Sequence, residues 1–178
     1  MTKLMLIDAR RLCVDDLIAD LLGHPKVLET REHMHHSIPK YDHLRRSVKY
    51  SAKLARLLHA NERVCVRAAL IHDIDSRDGT LTTHGAIAAR WAAQQGECNG
   101  VCQAIVSHMY PFGPRPTTRE AWVLVLADKA ASLGDMKQFV RGLVNGSSIK
   151  VRRYLLTSDP YYRSKPRRLR RRHSVARG

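Results

Sequence analysis

The sequence predicts an all-α fold, and three observations carry that expectation. Apolar residues recur at helical spacing over almost the whole chain. No run of alternating Val, Ile, Thr and aromatic residues bounded by turn residues suggests a sheet. Aromatic residues make up only 6% of the 178 residues. A chain of this length with 44% hydrophobic residues buries a core without help from disulfides. One compact bundle of roughly six to eight helices is therefore expected over residues 1–160.

In chain order, the spacing predicts helices over 13–22, 41–59, 62–73, 83–95, 99–108, 118–133, 135–144 and 148–157. Asn61 suits the N-cap of the third, and Thr117 with Glu120 reads as a capping box that opens the helix bearing Asp128. Gly96 is placed to end the fourth helix. Pro111, Gly113, Pro114 and Pro116 force a loop after His108. Trp91 and Trp122 fall within helical apolar patterns and are expected in the core.

Charge divides the chain into a body and a tail. The formal net charge is +15, and residues 161–178 hold eight Lys or Arg and no acid, which leaves the body about +7. A basic body suits an anionic substrate. The tail lacks apolar periodicity and is expected to be disordered. Its arginines, Arg167, Arg168, Arg170, Arg171 and Arg172, are candidates for contact with nucleic acid or another polyanion.

The N-terminal stretch MTKLMLIDARRLCVDD interrupts its apolar run with Asp8 and two arginines, unlike a signal peptide, and no apolar run approaches the ~20 residues of a membrane span. A cytoplasmic protein without membrane contact is expected. Cys13, Cys65, Cys98 and Cys102 lack zinc-pair spacing and read as reduced structural thiols.

The informative residues are histidines and aspartates. A single His-Asp dipeptide means little, since ten His and eleven Asp give roughly 0.6 such pairs by chance. His72-Asp73 gains meaning from its company: His43 in YDHLRRSV, His84 in LTTHGAIAARW, His108 in IVSHMYPFG and Asp128 in LVLADKAAS. Asp73 follows the apolar run AALI, and Asp128 follows AWVLVLA. A buried ionised carboxylate is costly unless paired or bound to a cation, so two of them near several histidines ask for a metal. Imidazole and carboxylate together suit Mn, Fe, Co, Ni or Zn better than Ca.

The order H…HD…H…H…D resembles the HD-domain metal-dependent phosphohydrolase superfamily, over residues from about His33 to Ser132. That resemblance implies a helical HD-type hydrolase domain. It implies that His43, His72, Asp73 and Asp128 hold a first divalent ion. His84 and His108 would hold a second, with Asp73 bridging, and His72 and Asp73 stand at the catalytic centre. The chemistry implied is hydrolysis of a phosphate ester, of a nucleotide or another small phosphorylated molecule, by water activated at the metal. The stretch HDIDSRDG lacks the lysine of the GYP subtype and PFGPRP stands in place of that subtype's longer signature, which disfavours cyclic dinucleotide cleavage.

Several neighbours are candidates for substrate contact. His36, within the cluster His33, His35 and His36, lies shortly before His43. Lys129, Arg45, Arg46 and Arg77, next to the candidate ligand positions, and Arg115 in the Pro-rich loop are cations placed to neutralise phosphate, with Arg offering a bidentate fork. Asp75 and Asp78 are candidates for a general acid or for loop capping. The competing class is a nucleic-acid-binding or regulatory module whose metal site is structural or degenerate; the full ligand set favours the enzyme.

Overall fold

The computed structural model describes residues 13–35 and 38–158. A 3-10 turn at Asp16–Ile18 runs into α1 (Ala19–Leu22), followed by α2 (Pro25–Glu29). Pro25 takes the first turn of α2, where its missing N–H costs nothing, and His24 Nδ1 caps the helix by accepting from Lys26 N at 3.2 Å. Two residue pairs, β1 (Met34–His35) and β2 (Ile38–Pro39), meet antiparallel with Met34 opposite Pro39. The remaining helices are α3 (Lys40–Leu57), α4 (Glu62–Ile71), α5 (His84–Gln94), α6 (Asn99–Ser107), α7 (Arg119–Val144) and α8 (Ser147–Ser158). The fold is all-α, as expected, with eight α-helices among the described residues. The short α2 and the β1–β2 pair carry too few residues to show a period, and the sequence did not predict them.

α4 is the axis of the bundle. Every residue from Cys65 to Ile71 is buried, as befits a helix apolar nearly all round. α3 packs against α4 and α7, α5 against α6, and α8 closes over the end of α7. α3 presents Leu44, Val48, Ala52 and Ala55 to the core on one stripe, with polar residues opposite. Leu70 and Ile71 are fully buried, each contributing about 1.5–3 kcal/mol of apolar transfer. Trp91 joins this core, whereas Trp122 is only half-buried and meets Tyr110 edge-on, with centroids 5.6 Å apart.

One charged residue sits inside α4. Arg67 donates to both Asp20 oxygens at 2.7 Å, to Glu97, and to the Leu17 carbonyl at 2.9 Å, which ties α1 and the α5–α6 connection to the axis. Burial pushes the Cys65 thiol up to about 12, so it behaves as a small apolar residue; all four cysteines are free thiols.

Two boundaries depart from expectation. Thr117 and Glu120 do not form a capping box: Thr118 is the N-cap, accepting from Ala121 N at 3.1 Å, and Glu120 instead accepts from Asn61 N at 3.0 Å. The expected break between 133 and 135 is also absent, because α7 runs unbroken through Gly134. Asn61 and Gly96 behave as expected. Asn61 caps α4 through Val64 N, and Gly96 takes a φ of +80° just beyond α5.

No helix among the described residues is long and apolar enough to cross a membrane. The tail arginines Arg167, Arg168, Arg170, Arg171 and Arg172, and the expectation of disorder there, lie outside the described residues, as does His36.

Candidate metal centre

Each histidine of the expected set is placed by a helix and anchored through the same ring nitrogen. His43 stands one turn into α3, His72 caps the C-terminus of α4, His84 opens α5, and His108 caps α6. His72 Nδ1 donates to the Ala69 carbonyl at 2.9 Å, His84 Nδ1 to Thr80 at 2.8 Å, and His108 Nδ1 to Ile105 at 2.6 Å. His43 Nδ1 donates to Asp135 Oδ2 at 2.6 Å. These oxygens only accept, so each ring carries its proton on Nδ1 and turns the Nε2 lone pair inward.

The four Nε2 atoms converge on two carboxylates. Asp128 Oδ1 lies 3.1 Å from His43 Nε2 and 3.5 Å from His72 Nε2. Asp73 Oδ1 lies 3.5 Å from His84 Nε2 and 3.7 Å from His108 Nε2, and those two nitrogens stand 3.0 Å from each other. Asp128 sits on the interior face of α7, well inside the helix, whereas Asp73 directly follows the His72 cap. α5 and α6 approach closely enough for this because residue 85 is glycine. A Cβ there would meet the carbonyl oxygens of Ile105 at 3.0 Å and Val106 at 3.1 Å.

Such a set fits a divalent transition ion. His43 is fully buried, and its Nε2 has no hydrogen-bond partner. Neutral lone pairs facing one another and two carboxylates have no stabilising arrangement without positive charge between them. Single ligand atoms of His43, His72 and Asp128 all lie within 4.8 Å of one another, and so do those of His72, Asp73 and His108. Imidazole nitrogen with carboxylate oxygen is the donor set of Mn, Fe, Co, Ni and Zn sites.

The electrostatics agree. Burial alone would raise the Asp73 carboxyl, but the His108 hydrogen bond and the charges of His72, Lys40 and His35 hold it well below the ordinary carboxylate range. Burial likewise opposes ionisation of Asp128, and His43 and His72 overcome it. Burial lowers His84; at His108 burial works the same way, but the Asp73 carboxylate wins and raises it.

A cavity of about 410 Å³ opens onto this cluster, lined by Asp73, His84, His108 and Asp128, by the hydroxyls of Ser76, Thr80 and Ser132, and by Met34, Leu81 and Met109. His35 lines it too. Its ring stacks on His43 with centroids 4.2 Å apart, and its Nδ1 is 3.5 Å from Asp73 Oδ2.

The expected substrate cations are placed elsewhere. Arg46 pairs with Asp135 and Gln138, because its position three residues after His43 puts it on the same face of α3, over α7. Lys129 is exposed, since the residue after an inward-facing helical ligand is rotated outward. Arg115 borders a separate surface cavity with Asn99 and Gln103. Asp75 forms an ion pair with Lys26.

Two residues at the centre were not anticipated. Lys40, buried at the start of α3, donates to the Asp73 carbonyl at 3.1 Å and to Ser76 Oγ at 2.8 Å. Asp135 is 2% exposed. Its spacing of seven from Asp128, two turns along one helix face, was the available signal, and the expected break at Gly134 concealed it.

Compared with known protein families, residues 41–133 match the HD domain. The match covers just over half of the chain, which belongs to the HD domain family. HD domains bind divalent metals and are mostly metal-dependent hydrolases. No curated protein and no solved structure matches the chain.

Proposed function

We propose that this chain is a metal-dependent phosphohydrolase that cleaves a phosphate ester of a nucleotide or another small phosphorylated molecule. On this reading His43, His72 and Asp128 would hold one divalent transition ion, His84 and His108 would hold a second, and Asp73 would serve both. The observation that carries the reading is the common anchoring of four imidazoles through Nδ1, with every Nε2 turned toward Asp73 or Asp128 at the floor of one cavity.

When bound, such ions supply Lewis acidity, acidifying water and drawing off charge that develops on phosphoryl oxygens. The chain's own residues do the rest. The Nδ1 hydrogen bonds fix the tautomer and the orientation of the rings and make Nε2 the better donor. Asp73 presents Oδ1 to His84 and His108 and Oδ2 to His35, an arrangement suited to a bridging carboxylate. Ser76, Thr80 and Ser132 offer hydroxyls for phosphate oxygens, while Met34, Leu81 and Met109 add apolar surface to the cavity wall. No Arg or Lys lines this cavity among the described residues, so phosphate charge is left to the metal centre.

The test is elemental analysis of purified protein together with a screen of phosphomonoesters, nucleotides and cyclic diesters under several divalent metals. His72→Ala and Asp73→Ala must both lose the activity found. Turnover by either variant at the parent rate assigns the hit to a contaminant and removes the proposal.

The basic segment 161–178 is proposed as a separate polyanion contact, resting on its sequence alone.

A further inference from the structure

His43 differs from the other three histidines of the centre in what anchors it. His72, His84 and His108 each donate Nδ1–H to a neutral backbone carbonyl in or beside their own helix. His43 donates instead to a buried carboxylate on another helix, at 2.6 Å. Its imidazole thus spans two aspartates of α7, with Nε2 at Asp128 and Nδ1 at Asp135. Seven residues separate the two, so they share one face of α7, about 10 Å apart along the axis.

Asp135 is itself held. The Arg46 guanidinium pairs with Oδ1, leaving Oδ2 for His43. Arg46 reaches it across the surface of Gly134, where a Cβ would fall 2.6 Å from Arg46 Cδ and 3.1 Å from Nε. Gln138 accepts from the same guanidinium one turn on, and donates to Asp42 Oδ2 at 3.4 Å. A buried carboxylate without a ligand role is costly to keep, and here it is compensated by one fixed cation and one imidazole.

We propose that Asp135, braced by Arg46 over Gly134, is the positioning residue that fixes His43 as an Nε2 donor to the metal centre. This rests on the reading of His43 as a ligand. A carboxylate on Nδ1 locks the ring in a single tautomer, stops its rotation and makes Nε2 a stronger donor than a neutral carbonyl would.

The experiment uses the full chain in two readouts. The first is calorimetric titration of metal-stripped protein with Mn(II) and Zn(II), for the parent, Asp135→Asn, Asp135→Ala and Gly134→Ala. Loss of such a partner weakens metal affinity about 10–100-fold. Asp135→Ala should show the full loss and Asp135→Asn, which keeps an acceptor but no charge, an intermediate one. Gly134→Ala, which displaces Arg46 and leaves every ligand in place, should also weaken binding. The second readout is the 15N spectrum of the imidazoles in metal-free protein. At a pH where the ring is neutral, the parent should show His43 in the Nδ1–H tautomer, with that preference relaxed in Asp135→Ala. Should Asp135→Ala fail to fold, Asp135→Asn and Gly134→Ala carry the comparison. A parent that binds neither ion overturns the reading of the site itself. A parent that binds while the Asp135 variants bind equally well, with the tautomer unchanged, overturns the positioning role and leaves the site standing.

Discussion

The Nε2 atoms of His84 and His108 lie 3.0 Å apart, and each ring already donates its Nδ1–H to a backbone carbonyl. Two lone pairs at this distance need a proton or a metal ion between them. Burial lowers His84, whereas at His108 burial works the same way but the neighbouring Asp73 carboxylate prevails and raises it. Metal and proton therefore compete for one place. Divalent-ion affinity is expected to fall as pH falls through the raised His108 range, with proton release on binding. Calorimetry in buffers of different ionisation enthalpy measures this, and an affinity that rises on acidification refutes it.

The centre also divides into two groups that substitution separates. Asp128→Asn removes the carboxylate shared by His43 and His72, whereas His84→Ala removes a partner of His108 and Asp73. If two ions bind, each substitution lowers the metal content by one equivalent. Asp128→Asn is expected to cut whatever metal-dependent hydrolysis the parent shows by more than the roughly 100-fold typical of an outer partner. Unchanged stoichiometry in both variants, by elemental analysis after dialysis, contradicts the two-ion arrangement.

At Gly85 the atoms opposing an added Cβ are backbone oxygens, which cannot swing aside. Gly85→Ala must part α5 from α6, at a cost of about 1–3 kcal/mol. Because His84 is the adjacent residue, metal affinity should fall together with Tm. Thermal unfolding that matches the parent rules out the close contact.

Away from the centre, Arg67 is the residue on which stability leans. Its removal leaves Glu97, whose side chain is 4% exposed, as a buried charge without its partner, so Arg67→Met is expected to cost about 3–5 kcal/mol. The Arg67 guanidinium holds the Asp20 carboxyl at about 2, below its ordinary 3.8. A depressed carboxyl contributes stability that is complete above its unfolded value and disappears as pH falls through the folded one. The Tm gap between parent and Arg67→Met should therefore narrow between about pH 4 and pH 2. A gap that widens in acid contradicts the pairing.

Deleting residues 161–178 separates the two sequence-level roles. Hydrolysis of a small phosphoester should survive, and salt-dependent retention on polyanions should be lost. Persistence of polyanion binding after the deletion would move that role to the body.

What was legible beforehand follows from the kind of signal each residue carries. The clustered histidines and aspartates were legible as candidates because His72-Asp73 is contiguous and the others sit at the ends or on the inward faces of strongly periodic helices. The expected break at residue 134 was a misreading: α7 runs on through Gly134, and the side chain packed across it, Arg46, comes from elsewhere in the chain. Asp135 was hidden by that misreading. Arg46 was legible as a cation near His43, but its partner is set by the crossing of α3 and α7, which no local pattern encodes. Lys40 is similar: only the fold brings a residue at the start of α3 against the Asp73 carbonyl.

The unbroken course of α7 makes the interval between Asp128 and Asp135 a fixed helical phase. One extra residue inserted between them would turn the downstream carboxylate through about 100°, away from His43. An insertion of four would bring it back to the same side but carry it about 6 Å too far along the axis. Neither length restores the double grip on a single imidazole, so this stretch tolerates substitution at its outer face far better than any change in its count of residues.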